Sequence, residues 1–135
     1  MGTYDVRPIG WVESSLTAVA EAPCQSRGAP SAWLVIEDAV GEGIRDLRPG
    51  DEIILLTWLD RSRRDELATV PGDNPHSRPL GVFSTRSPNR PNPVGLHRVR
   101  ILAIDGPRIQ VDALEALDRT PIVDIKPVLD PHRER

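Results

Sequence analysis

Leu96-His97-Arg98-Val99-Arg100-Ile101-Leu102-Ala103-Ile104-Asp105-Gly106-Pro107-Arg108-Ile109-Gln110-Val111-Asp112-Ala113 decides the fold class. Leu96 to Ile104 mixes Leu, Val and Ile with His97, Arg98 and Arg100 at the period of a strand with one wet face, and Asp105-Gly106 is a hairpin turn into Arg108 to Ala113. The chain therefore reads as mostly β. Fourteen prolines against 4% aromatic residues favour short elements and long loops over long helices, while 39% hydrophobic content supports a globular core. With 135 residues and no break in composition, residues 1–135 are expected to form one domain.

Upstream of the hairpin, Glu52-Ile53-Ile54-Leu55-Leu56-Thr57-Trp58-Leu59 is the most apolar run, with apolar residues on both faces as in a strand buried on two sides. Asp60 and Arg61 follow at its end. Ala32 to Ile36 is a further β-type run, and Glu42 to Leu47 reads as a short helix stopped by Pro49-Gly50. Val6 to Ser14 suits an opening strand with Pro8 at its start or on an edge, and Ser62 to Leu67 suits a helical turn. Ser15 to Pro30 has no periodicity and reads as a long loop; Thr69 to Pro79 reads as a polar surface loop and Pro131 to Arg135 as frayed. Downstream, Asp124 and Lys126 share one face of the extended segment Ile122 to Pro127, where an exposed ion pair contributes about 0–1 kcal/mol.

A net charge of −3 and a pI near 5.6 argue against binding nucleic acid through a generally basic surface, although arginines cluster at 61–64 and 86–100. One cysteine excludes an internal disulfide and a cysteine-based zinc site, and three scattered histidines lack metal-ligand spacing, so no structural metal is expected. Without an apolar signal core or a membrane-length apolar run, the chain reads as soluble and cytoplasmic, with no membrane partner.

Between the two regions, Gly81-Val82-Phe83-Ser84-Thr85-Arg86-Ser87-Pro88-Asn89-Arg90-Pro91-Asn92-Pro93-Val94-Gly95-Leu96 packs three prolines, two arginines and two asparagines between apolar flanks. Each proline lacks an N–H and biases the preceding residue toward extended backbone, so the stretch reads as a stiff loop. A rigid connection with solvated arginines and a preordered ligand wall both fit that composition.

Thr85 to Leu96 resembles the signature of the TsaA-like, or TrmO-type, S-adenosylmethionine-dependent methyltransferases, and Asp118-Arg119-Thr120-Pro121-Ile122-Val123-Asp124-Ile125-Lys126-Pro127 resembles that family's second block. The resemblance implies a compact antiparallel β-barrel of a single sheet, with short helices and long loops. It also implies a homodimer with its cofactor pocket near the subunit interface. The implied activity is N-methylation of threonylcarbamoyl-adenosine beside the anticodon of threonine tRNA. Cofactor positions carried over are Pro23, Cys24 and Gln25; Asp60 and Arg61; Arg86; Leu96; and Asp118, Arg119, Thr120 and Pro121. Arg86 would bind the methionine carboxylate or an adenosine hydroxyl, and Leu96 would wall the adenine unless it packs in the core. Three positions depart from the family pattern: Cys24 replaces an arginine, Asp60 a histidine, and Arg119 a glycine, which strains the turn if φ there is positive.

Methyl transfer to a weakly nucleophilic nitrogen calls for alignment in a dry site and a carboxylate to take the proton, for which Asp118 and Asp124 are the candidates. Arg61, Arg90, Arg98 and Arg100 are candidate phosphate contacts. A small-molecule or other nucleotide acceptor, a non-catalytic S-adenosylmethionine-binding module, and a β-barrel protein-interaction domain remain as alternatives.

Overall fold

A computed structural model describes residues 2–17, 28–70 and 78–129. Its strands are β1 (Gly10–Glu13), β2 (Ala32–Ile36), β3 (Glu52–Trp58), β4 (Ala68–Thr69), β5 (Leu80–Gly81), β6 (Val94–Asp105), β7 (Arg108–Val111) and β8 (Pro121–Pro127). Short 3-10 helices occupy Asp38–Ile44 and Val82–Ser84. Six strands close into an antiparallel ring in the order β1-β2-β7-β6-β3-β8, and β8 returns to β1 through Gly10↔Ile122 and Trp11↔Pro121. β4 and β5 form a separate two-stranded ribbon.

Alternation along each strand fills the ring. Val12, Leu34, Ile36, Ile53, Leu55, Val99, Ile101, Ile109, Val111 and Ile122 form the buried core together with Leu114 from the β7–β8 connection. Full burial of each such large aliphatic side chain is worth about 1.5–3 kcal/mol. The Asp105-Gly106 turn joins β6 to β7 as expected, with Gly106 at φ 58°, the left-handed region that glycine enters freely.

Several sequence expectations are corrected. β3 is buried on its inner face only: Ile53, Leu55 and Thr57 are buried, while Ile54, Leu56 and Trp58 are half-buried on the outside. A ring made from one sheet has one interior, so an apolar residue at every position cannot be enclosed. The helix expected at Glu42 to Leu47 is a 3-10 helix starting at Asp38; Gly41 and Gly43 disfavour an α-helix, and the turn continues through Arg45 N–H to Glu42 O and Leu47 N–H to Ile44 O. Ser62 to Leu67 forms no helix, because the arginines there bind the neighbouring loop instead. The opening strand is confined to Gly10–Glu13, with residues 2–8 exposed. Val94 and Gly95, read as part of the loop, already pair with β3, so the strand starts two residues before Leu96.

Candidate functional site

The registers Trp58↔Val94, Trp11↔Pro121 and Glu13↔Trp33 bring the C-terminal ends of β1 and β3 to the same end of the ring as the N-terminal ends of β2, β6 and β8. The expected site residues gather at this end. Asp60 and Arg61 turn out of β3, Arg86 lies in the loop entering β6, and Asp118 to Pro121 lead into β8. Arg61 Nη1 donates to Thr17 O at 3.2 Å, tying the β3 end to the segment after β1. Pro23, Cys24 and Gln25 lie outside the described residues.

The loop before β6 is locked by Arg90. Its Nη1 donates to the carbonyls of Thr85 and Ser87, and its Nη2 to that of Val82, each at 3.0 Å. Its backbone N–H reaches Arg63 O at 3.0 Å, while Asn89 Oδ1 accepts from Arg63 N–H at 2.8 Å. Arg64 completes the brace: it lies 5.2 Å from the Trp58 ring centroid and donates to Pro91 O at 2.7 Å and Asn92 Oδ1 at 3.1 Å. Arg86, by contrast, is exposed and has no hydrogen-bond or ion-pair partner among the described residues. Of the arginines read as phosphate contacts, Arg90 thus works inside the loop. Arg98 pairs with Glu52 at 2.8 Å, and Arg100 pairs with Glu52 at 3.2 Å and binds Gly50 O.

Asp118 fixes the turn before β8. Its Oδ1 accepts from Ser14 N–H at 3.0 Å and its own N–H donates to Leu16 O at 2.6 Å, while Thr120 Oγ1 donates to Leu117 O at 2.7 Å. Arg119 sits at φ 71°, a conformation that costs a non-glycine residue about 1–2 kcal/mol. We expect Arg119→Gly to raise stability by about 1 kcal/mol, seen as a melting temperature several degrees higher in a calorimetric scan.

Leu96 is half-exposed on the outside of the ring, so it does not pack in the core. The register Leu96↔Leu56↔Asp124 places it in one outer row with Asp124, two strands away. Asp124 Oδ1 accepts from Ile125 N–H at 2.9 Å, and Oδ2 lies 3.3 Å from Lys126 Nζ, the surface pair expected from the sequence. Beneath this row, buried Thr57 Oγ1 is hydrogen-bonded to His97 Nε2 at 2.9 Å, and burial pushes the His97 imidazole down to about 4.

A cleft of about 690 Å³ opens on the other side of the Asp118 turn, lined by Trp11, Glu13, Ser14, Ser31, Trp33 and Arg119 among others. A profile of the family described as "tRNA-methyltransferase O N-terminal domain" matches residues 11–132, a span that includes this end of the ring, its loop and the β8 block. The chain belongs to that family.

Members of the tRNA-methyltransferase O family resemble it in sequence and in fold. A "Probable S-adenosyl-L-methionine-binding protein" of Archaeoglobus fulgidus is 43% identical over 129 residues, which cover 94% of this chain and 34% of that protein. An "S-adenosyl-L-methionine-binding protein" of the same organism is 40% identical over 122 residues, covering 90% of this chain and 86% of its own length. The crystal structure of TrmO from Pseudomonas aeruginosa superposes with a TM-score of 0.74 at 27% identity, covering 98% of this chain and 58% of that one. The chain therefore spans about a third of the first relative and somewhat over half of the TrmO structure.

Trp11, Trp33 and the Arg90 staple were missed by sequence reasoning. Alternation could have turned both tryptophans outward, since Val12 and Leu34 beside them are core residues, but large aromatics are normally read as core. Nothing in the sequence marks which arginine of the loop folds back on its carbonyls.

Proposed function

We propose that this chain is an S-adenosylmethionine-dependent methyltransferase that acts on threonine tRNA, methylating the exocyclic nitrogen of threonylcarbamoyl-adenosine. The observation that carries the reading is the loop 82–93, held rigid by Arg90 and Arg64 while Arg86 is left without a partner among the described residues. A free guanidinium on a stiff frame suits a ligand carboxylate, because little ordering entropy is lost on binding. The residues present fit the cofactor: Arg86 would hold its carboxylate, Leu96 would wall the adenine, and Asp60 and the turn from Asp118 to Pro121 would bind its polar edge. Pro23, Cys24 and Gln25 would complete the set.

The cofactor supplies a methyl group on a sulfonium, whose S–C bond breaks as the new N–C bond forms. Asp124 stands in the outer row with Leu96, which supports its carboxylate as the group that would take the proton leaving the acceptor nitrogen. Asp118 instead holds the turn through Ser14. Val94, Leu96, Ile54 and Leu56 make the outer face of β6 and β3 apolar, which favours a homodimer closed over this row.

Arg90→Ala should remove three carbonyl partners at once and cost about 2 kcal/mol of stability. The loosened loop should bind S-adenosylmethionine about tenfold more weakly by titration calorimetry. Arg90→Lys should recover only part of both, because an ammonium lacks the planar fork. The function itself is tested by incubating the protein with labelled S-adenosylmethionine and total tRNA from a strain lacking the modification. Label in threonine tRNA is expected. Label confined to small molecules or other nucleotides would replace the acceptor, and binding without transfer would make the chain a cofactor-binding module.

A further inference from the structure

Trp11 lies opposite Val35 and Glu13 opposite Trp33, so the two indoles stand diagonally on the outer face of β1 and β2. Arg108 leans over Trp33, 4.9 Å from its ring centroid, and its Nη2 donates to Glu13 Oε2 at 2.7 Å. Arg108 Nε is buried with no hydrogen-bond partner among the described residues. Trp33 is thereby capped by a cation, while Trp11, 37% exposed, remains open to the cleft. At about 690 Å³ the cleft is within the roughly 300–1,000 Å³ range of small-ligand sites.

We propose that this cleft binds an unpaired nucleobase of the RNA substrate, other than the methylated one, stacked on Trp11; the proposal rests on the tRNA-methyltransferase reading above. A flat π-face beside a carboxylate defines the ligand. Glu13 only accepts hydrogen bonds, so it selects a ring whose edge carries N–H groups, as the amino edges of adenine, cytosine and guanine do.

The adenine of the cofactor is a poor occupant. Leu96, its proposed wall, is on β6, which lies three strands from β1 in either direction around the ring. Trp11 pairs directly with Pro121, however, and Asp124 is three residues farther along β8, about 10 Å at the rise of a strand. A base in the cleft is thus within a few nucleotides of an acceptor at Asp124. Stacking also suits a chain of net charge −3, which has little general attraction for phosphate, so RNA binding should depend only shallowly on salt.

The test uses the full chain and a fluorescently labelled anticodon stem-loop of threonine tRNA, followed by anisotropy. Trp11→Ala should weaken RNA binding about tenfold and raise KM for tRNA with kcat unchanged, and Trp11→Phe should restore most of the loss. Cofactor affinity by calorimetry should not move, and the melting temperature should fall by only a few degrees, because Trp11 lies on the outer face and leaves the core intact. Unchanged RNA affinity in Trp11→Ala overturns the proposal, as does a loss of cofactor affinity in place of RNA affinity, or a wild-type chain that does not bind the stem-loop. RNA binding that needs Trp11 in a wild type without methyl transfer leaves the cleft standing and removes the enzymatic reading. Transfer to tRNA undisturbed by Trp11→Ala does the reverse.

Discussion

Gly10→Ala is expected to lower stability by at least about 3 kcal/mol, roughly 10 °C in melting temperature. A Cβ at Gly10 would run into Val35 O and come within 3.0 Å of Val35 C and 3.1 Å of Ile36 Cα. These are backbone atoms of β2, so no side chain can rotate away. Relief requires β1 and β2 to separate, yet the same residue pairs with Ile122 on the other side and helps close the ring. Gly41→Ala is the control: an added Cβ meets nothing within 4 Å there, and its melting temperature should stay level or rise. A Gly10→Ala protein that melts with the wild type would show that the β1–β2 contact can yield without opening the ring.

Acid should destabilise the protein through His97. Its imidazole is held down at about 4 by burial, against the ordinary 6.5, so the unfolded chain binds a proton in that interval and the folded chain does not. The contribution is intact above pH 6.5 and falls by about 1.4 kcal/mol per pH unit below it, a loss of about 3 kcal/mol by pH 4. Burial raises the Glu115 carboxyl, which acts with the opposite sign by binding a proton first in the folded state. His97→Gln separates the two, since an amide can still bond Thr57 and does not titrate. Wild type and variant should differ in denaturant midpoint between pH 7.5 and pH 4.5 by the slope stated; parallel curves would mean that His97 is protonated in the fold.

The hairpin of β6 and β7 was legible because two signals agree at it, a strand period and an Asp-Gly turn, and both are local. β2 was legible for the same reason. The outer residues of β3 were not, because whether Ile54 and Leu56 meet protein or solvent depends on the sheet closing, a property of distant strands. Arg90 was misread since an arginine in a proline-rich loop looks solvated until the loop's own carbonyls turn toward it. The demand for a carboxylate to take a proton leaves Asp118 and Asp124 together as candidate bases; only geometry separates the one that braces a turn from the one in the outer row with Leu96.

The ring also dictates an order of events during synthesis. β6 and β7 can pair as soon as both have left the ribosome, but β1 and β3 each wait for β8, the last of the described strands, to supply their remaining neighbour. Until then two strand edges with free N–H and C=O groups stay open, the feature through which chains aggregate. Closure between the first and last strands is a long-range event and therefore slow. A released chain cut just before Pro121 would present an opened sheet with both edges bare, which is the form a chaperone would have to hold.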